Sequence, residues 1–310
     1  MKHLKIHFLN TIWSDAIILE SNNHYAFVDT GSAFYYPMVK KHLDDLNIKK
    51  IDFILITHFH NDHYGCCDKI LKDFDVLKLY IKRYYGLDGT TSSGYTSNEE
   101  YIENEFKNYN RILENAKEKN TEVIFIDELN NDNIELQFDE HTLDLFDVSN
   151  LLNDLYSNPE SNFYQQKRFN ENFNCLGTFI KVNDFNIFLG GDVTCSSTDI
   201  KEVKELSIKM VNKIYEKYQI NKMHIYKSCH HGGGGTNTLP LCKLINPDYV
   251  FITNTARWLD NWPTFANLQE ANKDVQIYTT DYQKYFVDIY DTIKVSKETE
   301  DSLFITLKKD

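Results

Sequence analysis

The sequence predicts a single α/β domain, and three observations indicate it. Strand-like runs alternate with helical patterns along the chain, as expected for packed layers of sheet and helix. No linker rich in Pro or Gly interrupts the 310 residues, which contain only 5 Pro and 12 Gly, so we expect one domain over 1–310. The β-branched apolar run at 51–56 is too short for a helix core and is typical of a buried strand.

The first third of the chain predicts a hairpin followed by a helix. Residues 17–19 and 25–28 favour two short strands, joined by the polar turn at 21–23. Pro37 is tolerated in the first turn of a helix, and we expect this helix to reach about Leu46. The strand at 51–56 follows directly.

The remaining elements alternate in the same way. After a loop at 86–96, residues 97–100 (Ser-Asn-Glu-Glu) form a capping-box pattern that begins a long amphipathic helix. Further strands are predicted at 79–81, 123–125, 143–145, 178–180, 187–189, 223–226 and 249–252, and helices near 198–218, 238–245 and 263–271. The polar stretch at 149–174 has no periodicity and is long for a loop in a compact domain.

Composition excludes several classes of protein. The net charge of −13 gives a surface that repels nucleic-acid phosphates, so we expect no broad nucleic-acid surface. No apolar run reaches membrane-spanning length, and the N-terminus lacks a signal-peptide pattern. The six cysteines show no C-x-x-C spacing. We therefore expect a cytoplasmic protein without a membrane partner; the oligomeric state is left open.

Four potential metal ligands follow the strand at 51–56. Three imidazoles and a carboxylate occur within six residues, as His58, His60, Asp62 and His63. This is the nitrogen and oxygen ligand set that zinc prefers and that manganese or iron accepts. The alternative, a polar loop with chance histidines, is disfavoured because chance seldom produces this spacing. The run therefore predicts a metal site at the end of the strand.

The pattern His58-x-His60-x-Asp62-His63 resembles the signature of the metallo-β-lactamase superfamily. Residues 189–192 (Leu-Gly-Gly-Asp) resemble the strand that presents the metal-bridging aspartate of that family. Residues 226–232 (Tyr-Lys-Ser-Cys-His-His-Gly) resemble its branch of ComEC-type competence proteins and phosphorylcholine esterases. The resemblance implies an αββα sandwich of two mixed β-sheets with helices on the outer faces, and insertions near 82–120 and 149–174.

The resemblance also implies a binuclear site with two divalent metal ions, zinc first and manganese or iron as alternatives. The implied ligands are His58 and His60 for the first ion, Asp62, His63 and His231 for the second, and Asp192 as the bridge. Many family members supply a third histidine to the first ion before the Gly-Asp strand, but residues 142–191 contain no histidine. We therefore expect the first site to be weak, completed by water or empty.

In the implied mechanism, a hydroxide that bridges two ions about 3.5–4 Å apart is the nucleophile. The predicted catalytic residues are Asp62, Lys227 and His230. Asp62 would hold the water and pass on a proton, whereas Lys227 and the glycine run at 232–235 would face an oxyanion or phosphate. Three alternatives stay open: the glycine run as a flexible turn, His230 as a structural residue at a strand end, and His230 in place of His231 as the metal ligand.

Six further residues are predicted to bind substrate: Asn174, Gly233, Thr236, Asn237, Trp258 and Trp262. Core packing is the alternative for the two tryptophans. The predicted reaction is hydrolysis of a phosphoester or phosphodiester, on a small or locally bound substrate. The alternatives are a lactone, thioester or amide hydrolase with the same site, and a non-catalytic metal-binding or regulatory protein, since fold alone does not decide the substrate.

Overall fold

The computed structural model describes residues 2–86, 97–129, 134–151, 171–193, 205–233, 235–259 and 262–299. Two mixed β-sheets face each other, and helices cover their outer faces. The predicted αββα sandwich is confirmed.

Fifteen strands are assigned within those ranges. They are β1 Leu4–Phe8, β2 Ala16–Ser21, β3 His24–Thr30, β4 Lys50–Leu55, β5 Asp75–Ile81, β6 Glu122–Phe125, β7 Ile134–Phe138, β8 His141–Asp147, β9 Leu176–Val182, β10 Phe185–Leu189, β11 Ile225–Lys227, β12 Tyr249–Ile252, β13 Gln276–Thr279, β14 Gln283–Ile289 and β15 Ile293–Thr299. The first sheet has the order β15-β14-β1-β2-β3-β4-β5-β6, and the second has the order β13-β12-β11-β10-β9-β8-β7.

The α-helices of the described part of the chain include α1 Tyr36–Asp45, α2 Asn61–Tyr64, α3 Cys67–Asp73, α4 Asn98–Glu118, α5 Leu206–Tyr218, α6 Leu239–Ile245, α7 Ala256–Leu259 and α8 Thr264–Ala271. Helices α1, α3 and α4 pack their apolar residues against the first sheet. Helices α5, α6 and α8 do the same against the second sheet. No helix in the described ranges is both long and apolar enough to cross a bilayer.

The main core lies between the two sheets. Its members are alternate strand residues from both sheets, because successive side chains of a strand point to opposite faces. Phe8 of β1 and Phe251 of β12, for example, stack with their ring centroids 4.3 Å apart. This packing fixes the sheets against each other and so fixes the loops at their ends.

Parallel pairing brings the chemically interesting loops to one end of the sandwich. Strands β3 to β6 run parallel in the first sheet, and β10 to β13 run parallel in the second. The carboxyl ends of parallel strands lie at the same edge of a sheet, which is where ligand sites form in such sheets. The loops after β4, β10 and β11 all begin at these ends.

Several predicted elements are confirmed in detail. Helix α1 carries Pro37 in its first turn, and Ser97 caps α4 by accepting a hydrogen bond from the backbone N–H of Glu100 at 3.2 Å. The strands β7, β13, β14 and β15 were not predicted. Most of the predicted loop at 86–96 and of the polar stretch at 149–174 lies outside the described residues, so the two insertions stay a prediction.

Candidate metal centre

The loop after β4 presents the first set of site residues. His58 and His60 lie in this loop, and Asp62 and His63 lie in the short helix α2 that follows it. The backbone carbonyl of Asp62 accepts hydrogen bonds from Asp15 N at 3.1 Å and from Ser14 Oγ at 2.8 Å. The loop is therefore held by the start of β2.

A first cluster forms around one carboxylate oxygen of Asp192. His58 Nε2 lies 3.0 Å from His60 Nδ1 and 3.9 Å from Asp192 Oδ2. Ligand atoms of these three residues all lie within 4.8 Å of one another. Two imidazoles and a carboxylate thus converge at this point.

A second cluster forms around the other oxygen. His63 Nε2 and His231 Nε2 lie 3.3 Å and 3.4 Å from Asp192 Oδ1. Asp62 Oδ2 lies 3.1 Å from His231 Nε2 and 3.8 Å from His63 Nε2. Ligands at about 2.1 Å from a tetrahedral zinc ion are about 3.4 Å apart, so these spacings suit a shared ion. Asp192 stands between the two clusters with one oxygen toward each.

The hydrogen bonding of the site also fits a cation. His63 Nε2 and Asp192 Oδ1 are buried atoms that have no hydrogen-bond partner among the described residues. Buried polar atoms nearly always have a partner, and one that lacks it requires an explanation such as an ion. Because these two atoms face each other within a set of imidazoles and carboxylates, the residues fit divalent metal ions.

Outer residues fix the orientation of the two second-cluster imidazoles. His63 Nδ1 bonds to Asp29 Oδ2 at 2.7 Å, and His231 Nδ1 bonds to Thr253 Oγ1 at 2.9 Å. Thr253 in turn donates to Asp15 Oδ1 at 2.6 Å. Such partners hold the tautomer and ring direction of metal-binding histidines. The Nε2 atoms are thereby the ones directed at Asp192.

The electrostatics favour positive charge at the second cluster. Burial lowers the pKa of His63 and His231, but the carboxylates of Asp192, Asp29 and Asp15 outweigh it and raise both pKa values well above the ordinary range. Burial raises the pKa of Asp192, but the neighbouring imidazoles outweigh it and hold that pKa well below its usual value. A cation bound here would meet the same stabilising field.

His58 differs from these two histidines. Burial, together with the nearby His63 and His60, holds its pKa well below the usual value. The imidazole is therefore neutral, which is the form that binds a metal.

Lys227 at the end of β11 is fully buried. Its ammonium pairs with Asp15, donates to the carbonyl of Gly191 at 3.0 Å and lies 4.0 Å from Asp192 Oδ1. Burial lowers the pKa of Lys227, but Asp15 and Asp192 outweigh it and raise that pKa. The ammonium thus joins the ends of β10 and β11. Its predicted catalytic role stays a prediction.

The loop after β11 carries the tandem histidines and turns sharply. His230 and His231 both have a φ of 49°, in the left-handed region that non-glycine residues seldom adopt. The carbonyl of Cys229 accepts hydrogen bonds from Thr236 Oγ1 and Asn237 Nδ2, each at 3.1 Å. Thr236 and Asn237 are buried and support this loop, so their contact with substrate stays a prediction.

Three other predicted substrate residues lie around the centre. Asn174 Oδ1 accepts a hydrogen bond from the buried Lys82 at 2.5 Å. Gly233 lies against Trp13, where a Cβ would come within 3.1 Å of the indole ring. The Trp258 ring meets Trp13 edge-on with the ring centroids 5.4 Å apart.

Trp13 links this aromatic pair to the centre. Its ring lies 6.0 Å from that of His231, centroid to centroid. Trp258 is 54% exposed, so core packing does not account for it, and Trp262 is 38% exposed. Substrate binding by these residues stays a prediction.

Sequence reasoning did not assign a role to Asp15, Asp29 or Thr253. Asp15 directly precedes β2, Asp29 is the penultimate residue of β3, and Thr253 follows β12. Asp29 also has a φ of 62° directly before Thr30 and Gly31. Asp29 lies near the carboxyl end of β3, which pairs with β4, and this position is a signal that could have marked it.

Comparisons with known proteins agree with this fold. The family model described as the metallo-beta-lactamase superfamily matches residues 14–130. A search of curated proteins finds no significant match. Among solved structures, the chain is similar to the metallo-beta-lactamase fold protein YhfI from Bacillus subtilis, with 12% identity, 89% of this chain and 96% of that chain covered, and a TM-score of 0.50.

Weaker likenesses are found to two other structures. A CmlA beta-hydroxylase variant has 10% identity, 92% and 54% coverage and a TM-score of 0.48. BJP-1, a subclass B3 metallo-beta-lactamase of Bradyrhizobium japonicum, has 14% identity, 69% and 70% coverage and a TM-score of 0.39. The chain thus has the metallo-β-lactamase fold, and the family model supports membership in the metallo-beta-lactamase superfamily over residues 14–130.

Proposed function

We propose that the chain is a metal-dependent hydrolase that cleaves phosphoesters or phosphodiesters. The observation that carries the proposal is the convergence of histidine nitrogens on both oxygens of the buried Asp192. Two adjacent ligand clusters that share a carboxylate are typical of sites that hold two divalent ions for hydrolysis.

Zinc is the metal that this donor set fits best, with manganese or iron as alternatives. His58, His60 and Asp192 would hold one ion, and Asp62, His63, His231 and Asp192 the other. When bound, such ions lower the pKa of water and polarise the bond that is cleaved. The protein's own part is to orient these ligands, which Asp29, Asp15 and Thr253 do from behind the two second-cluster imidazoles.

Asp62 is the proposed residue for proton transfer. Its side chain is 35% exposed, whereas that of Asp192 is 2% exposed. Of these two carboxylates, Asp62 alone reaches the open side of the site. It can therefore orient an attacking water and deliver a proton to the leaving group.

The balance of charge admits an anionic substrate. Two divalent ions would offset the charges of Asp15, Asp29, Asp62 and Asp192, and the buried ammonium of Lys227 would offset that of the hydroxide nucleophile. The centre would then carry no net negative charge to repel a phosphate group, and the ions could polarise a phosphoryl oxygen. The resemblance of 226–232 to the ComEC-type and phosphorylcholine esterase branch points to the same substrate class.

The proposed substrate is small or locally bound. The net charge of −13 opposes the approach of long nucleic acid, because repulsion between like charges acts along the whole polymer. A small phosphoester carries few charges, so this repulsion is weaker for it, and the proposed ions would offset the negative charge of the carboxylates at the site.

The proposal is tested by assaying wild type and Asp62→Ala against three substrates at a fixed zinc concentration. These are bis-p-nitrophenyl phosphate, p-nitrophenyl phosphorylcholine and a simple lactone. We expect wild type to cleave a phosphate substrate and Asp62→Ala to lose at least about 100-fold in kcat, the range typical of a general acid or base. A matched control is Asp139→Ala, an exposed aspartate that bonds to Ser21 and Asn22 far from the centre.

Each outcome separates a candidate. Cleavage of the lactone alone would keep the hydrolase and overturn the phosphoester class. Metal binding without turnover of any ester would favour a non-catalytic protein of the same fold. An equal loss of kcat in Asp62→Ala and Asp139→Ala would show that Asp62 has no specific role in the reaction.

A further inference from the structure

The first cluster has three protein donors, from His58, His60 and Asp192, whereas the second has four, from Asp62, His63, His231 and Asp192. The stretch 142–191 supplies no histidine that could complete the first cluster. A tetrahedral structural or catalytic zinc site with only three protein donors keeps one position open. His230 lies next to this open side.

The distances place His230 on the same carboxylate oxygen as His58. His230 Nε2 lies 3.7 Å from Asp192 Oδ2, and His58 Nε2 lies 3.9 Å from that oxygen. His231 Nε2 instead lies 3.4 Å from Asp192 Oδ1. Two consecutive histidines thus approach opposite oxygens of one carboxylate.

The backbone of the turn produces this division. His230 and His231 both adopt the left-handed conformation, which residues other than glycine seldom adopt. Hydrogen bonds hold the turn: His230 N donates to the carbonyl of Gly191 at 3.0 Å, and Asn254 Nδ2 donates to that of His231 at 3.2 Å. Strained residues of this kind persist where the surrounding structure fixes them, and they cluster at functional sites.

We propose that His230 is the third imidazole ligand of the first metal ion and replaces the histidine that this chain lacks before the Gly-Asp strand. The inference rests on the proposed metal-dependent function. The competing ligand is Asn172, through its amide oxygen; its Nδ2 lies 3.5 Å from His230 Nε2. In our assignment the ion takes the place of this contact at Nε2, and Asn172 is not a ligand.

The test is cobalt binding to His230→Gly, measured by stoichiometry and by the visible absorption of the bound ion. Glycine suits the φ of 49° and leaves a space that free imidazole can enter. We expect wild type to bind two cobalt ions per chain. The variant should keep one tightly bound ion, at the second cluster. Its affinity for the ion at the first cluster should fall at least about 100-fold, which exceeds the 10–100-fold loss typical of removing a residue that only orients a ligand. Added imidazole should restore the ion at the first cluster and its absorption band.

Two controls make the result specific. Gln219→Gly makes the same backbone change at an exposed residue with a φ of 52°, and it should bind two ions like wild type. Asn172→Ala should lower the affinity for the ion at the first cluster less than His230→Gly does.

Three results would overturn the assignment. Two tight ions in His230→Gly would show that His230 is no ligand while leaving the proposed function intact. A larger loss in Asn172→Ala would make the amide the ligand. Absence of any bound ion in folded wild type would remove the proposed function along with this inference.

Discussion

His63 is held between two carboxylates: its Nδ1 lies 2.7 Å from Asp29 Oδ2, and its Nε2 lies 3.3 Å from Asp192 Oδ1. Thr57 donates to both oxygens of Asp29, through its backbone N–H at 2.8 Å and its hydroxyl at 2.7 Å. The end of β3, the loop after β4 and the end of β10 are therefore joined through one imidazole. A series of hydrogen bonds of this kind sets both the direction and the basicity of a metal-binding imidazole.

We predict that Asp29→Asn weakens metal binding without unfolding the protein. Asparagine tolerates the φ of 62°, but it offers one oxygen where Thr57 and His63 donate to two. The affinity for zinc, measured by competition with a chromophoric chelator, should fall about 10–100-fold. Asp52→Asn is the matched control, because Asp52 accepts from His24 Nδ1 at 2.6 Å far from the centre. An equal effect of both substitutions would contradict the prediction.

A second prediction concerns the buried pair of Lys227 and Asp15. Replacing Lys227 by methionine leaves Asp15 buried without its cation, which typically costs about 3–5 kcal/mol. The free energy of unfolding from urea titration should fall by that amount. Adding Asp15→Asn to Lys227→Met should recover part of it, because the unpaired charge is then removed. A loss below about 1 kcal/mol in the single variant would show that the pair does not stabilise the fold.

A third prediction follows from a line of hydrogen bonds near α1, remote from the metal centre. Lysine can only donate, so Lys284 donates to His42 Nδ1 at 3.5 Å, His42 Nε2 donates to His7 Nδ1 at 3.0 Å, and His7 Nε2 donates to Glu20 at 2.8 Å. Burial, with His7 and Lys284 nearby, lowers the pKa of His42 to about 3. Burial also lowers the pKa of His7, despite the bond to Glu20. Both rings are therefore neutral in the folded protein.

The unfolded chain has ordinary histidine pKa values near 6.5, so it binds more protons than the folded protein below that pH. The stability from these rings is fully present above about pH 6.5 and is lost as the pH falls toward 3. His42→Gln should lower the slope of unfolding free energy against pH between 6 and 4 by up to about 1.4 kcal/mol per pH unit. His24→Gln, at an exposed histidine, is the control. An unchanged slope in His42→Gln would contradict this account.

A fourth prediction tests the aromatic residues beside the centre. Trp258→Ala should raise KM for the hydrolysed substrate and leave the unfolding free energy within about 0.5 kcal/mol, because the residue is exposed. Tyr290→Ala, at another exposed aromatic residue, should change neither. A loss of stability with unchanged KM would instead make Trp258 a packing residue.

The sequence predicted the elements whose pattern is local. The strand β4, the capped helix α4 and the His58-to-His63 run each carry their signal within a few residues. Strand β14 was not predicted; its pairing with β1, about 280 residues away, joins the β14–β15 hairpin to the rest of the first sheet. Long-range pairing of this kind is not encoded in any short window.

The same distinction applies to the site. The nature of the ligands follows from residue type and spacing, whereas their division between the two clusters depends on backbone conformation. His230 and His231 are adjacent in sequence and reach opposite oxygens of Asp192 only because both adopt a positive φ. The role of Asp15 depends on contacts with Lys227 and Thr253, more than 200 residues away.

The most direct test of the account is the metal content of purified wild type and Asp192→Ala, measured by elemental analysis after dialysis against a fixed concentration of free zinc. Asp192 lies between both clusters, so its loss should weaken both sites together. We predict two zinc ions per wild-type chain and fewer than one in a folded Asp192→Ala chain. Wild type without bound metal, or Asp192→Ala with two ions, would contradict the account.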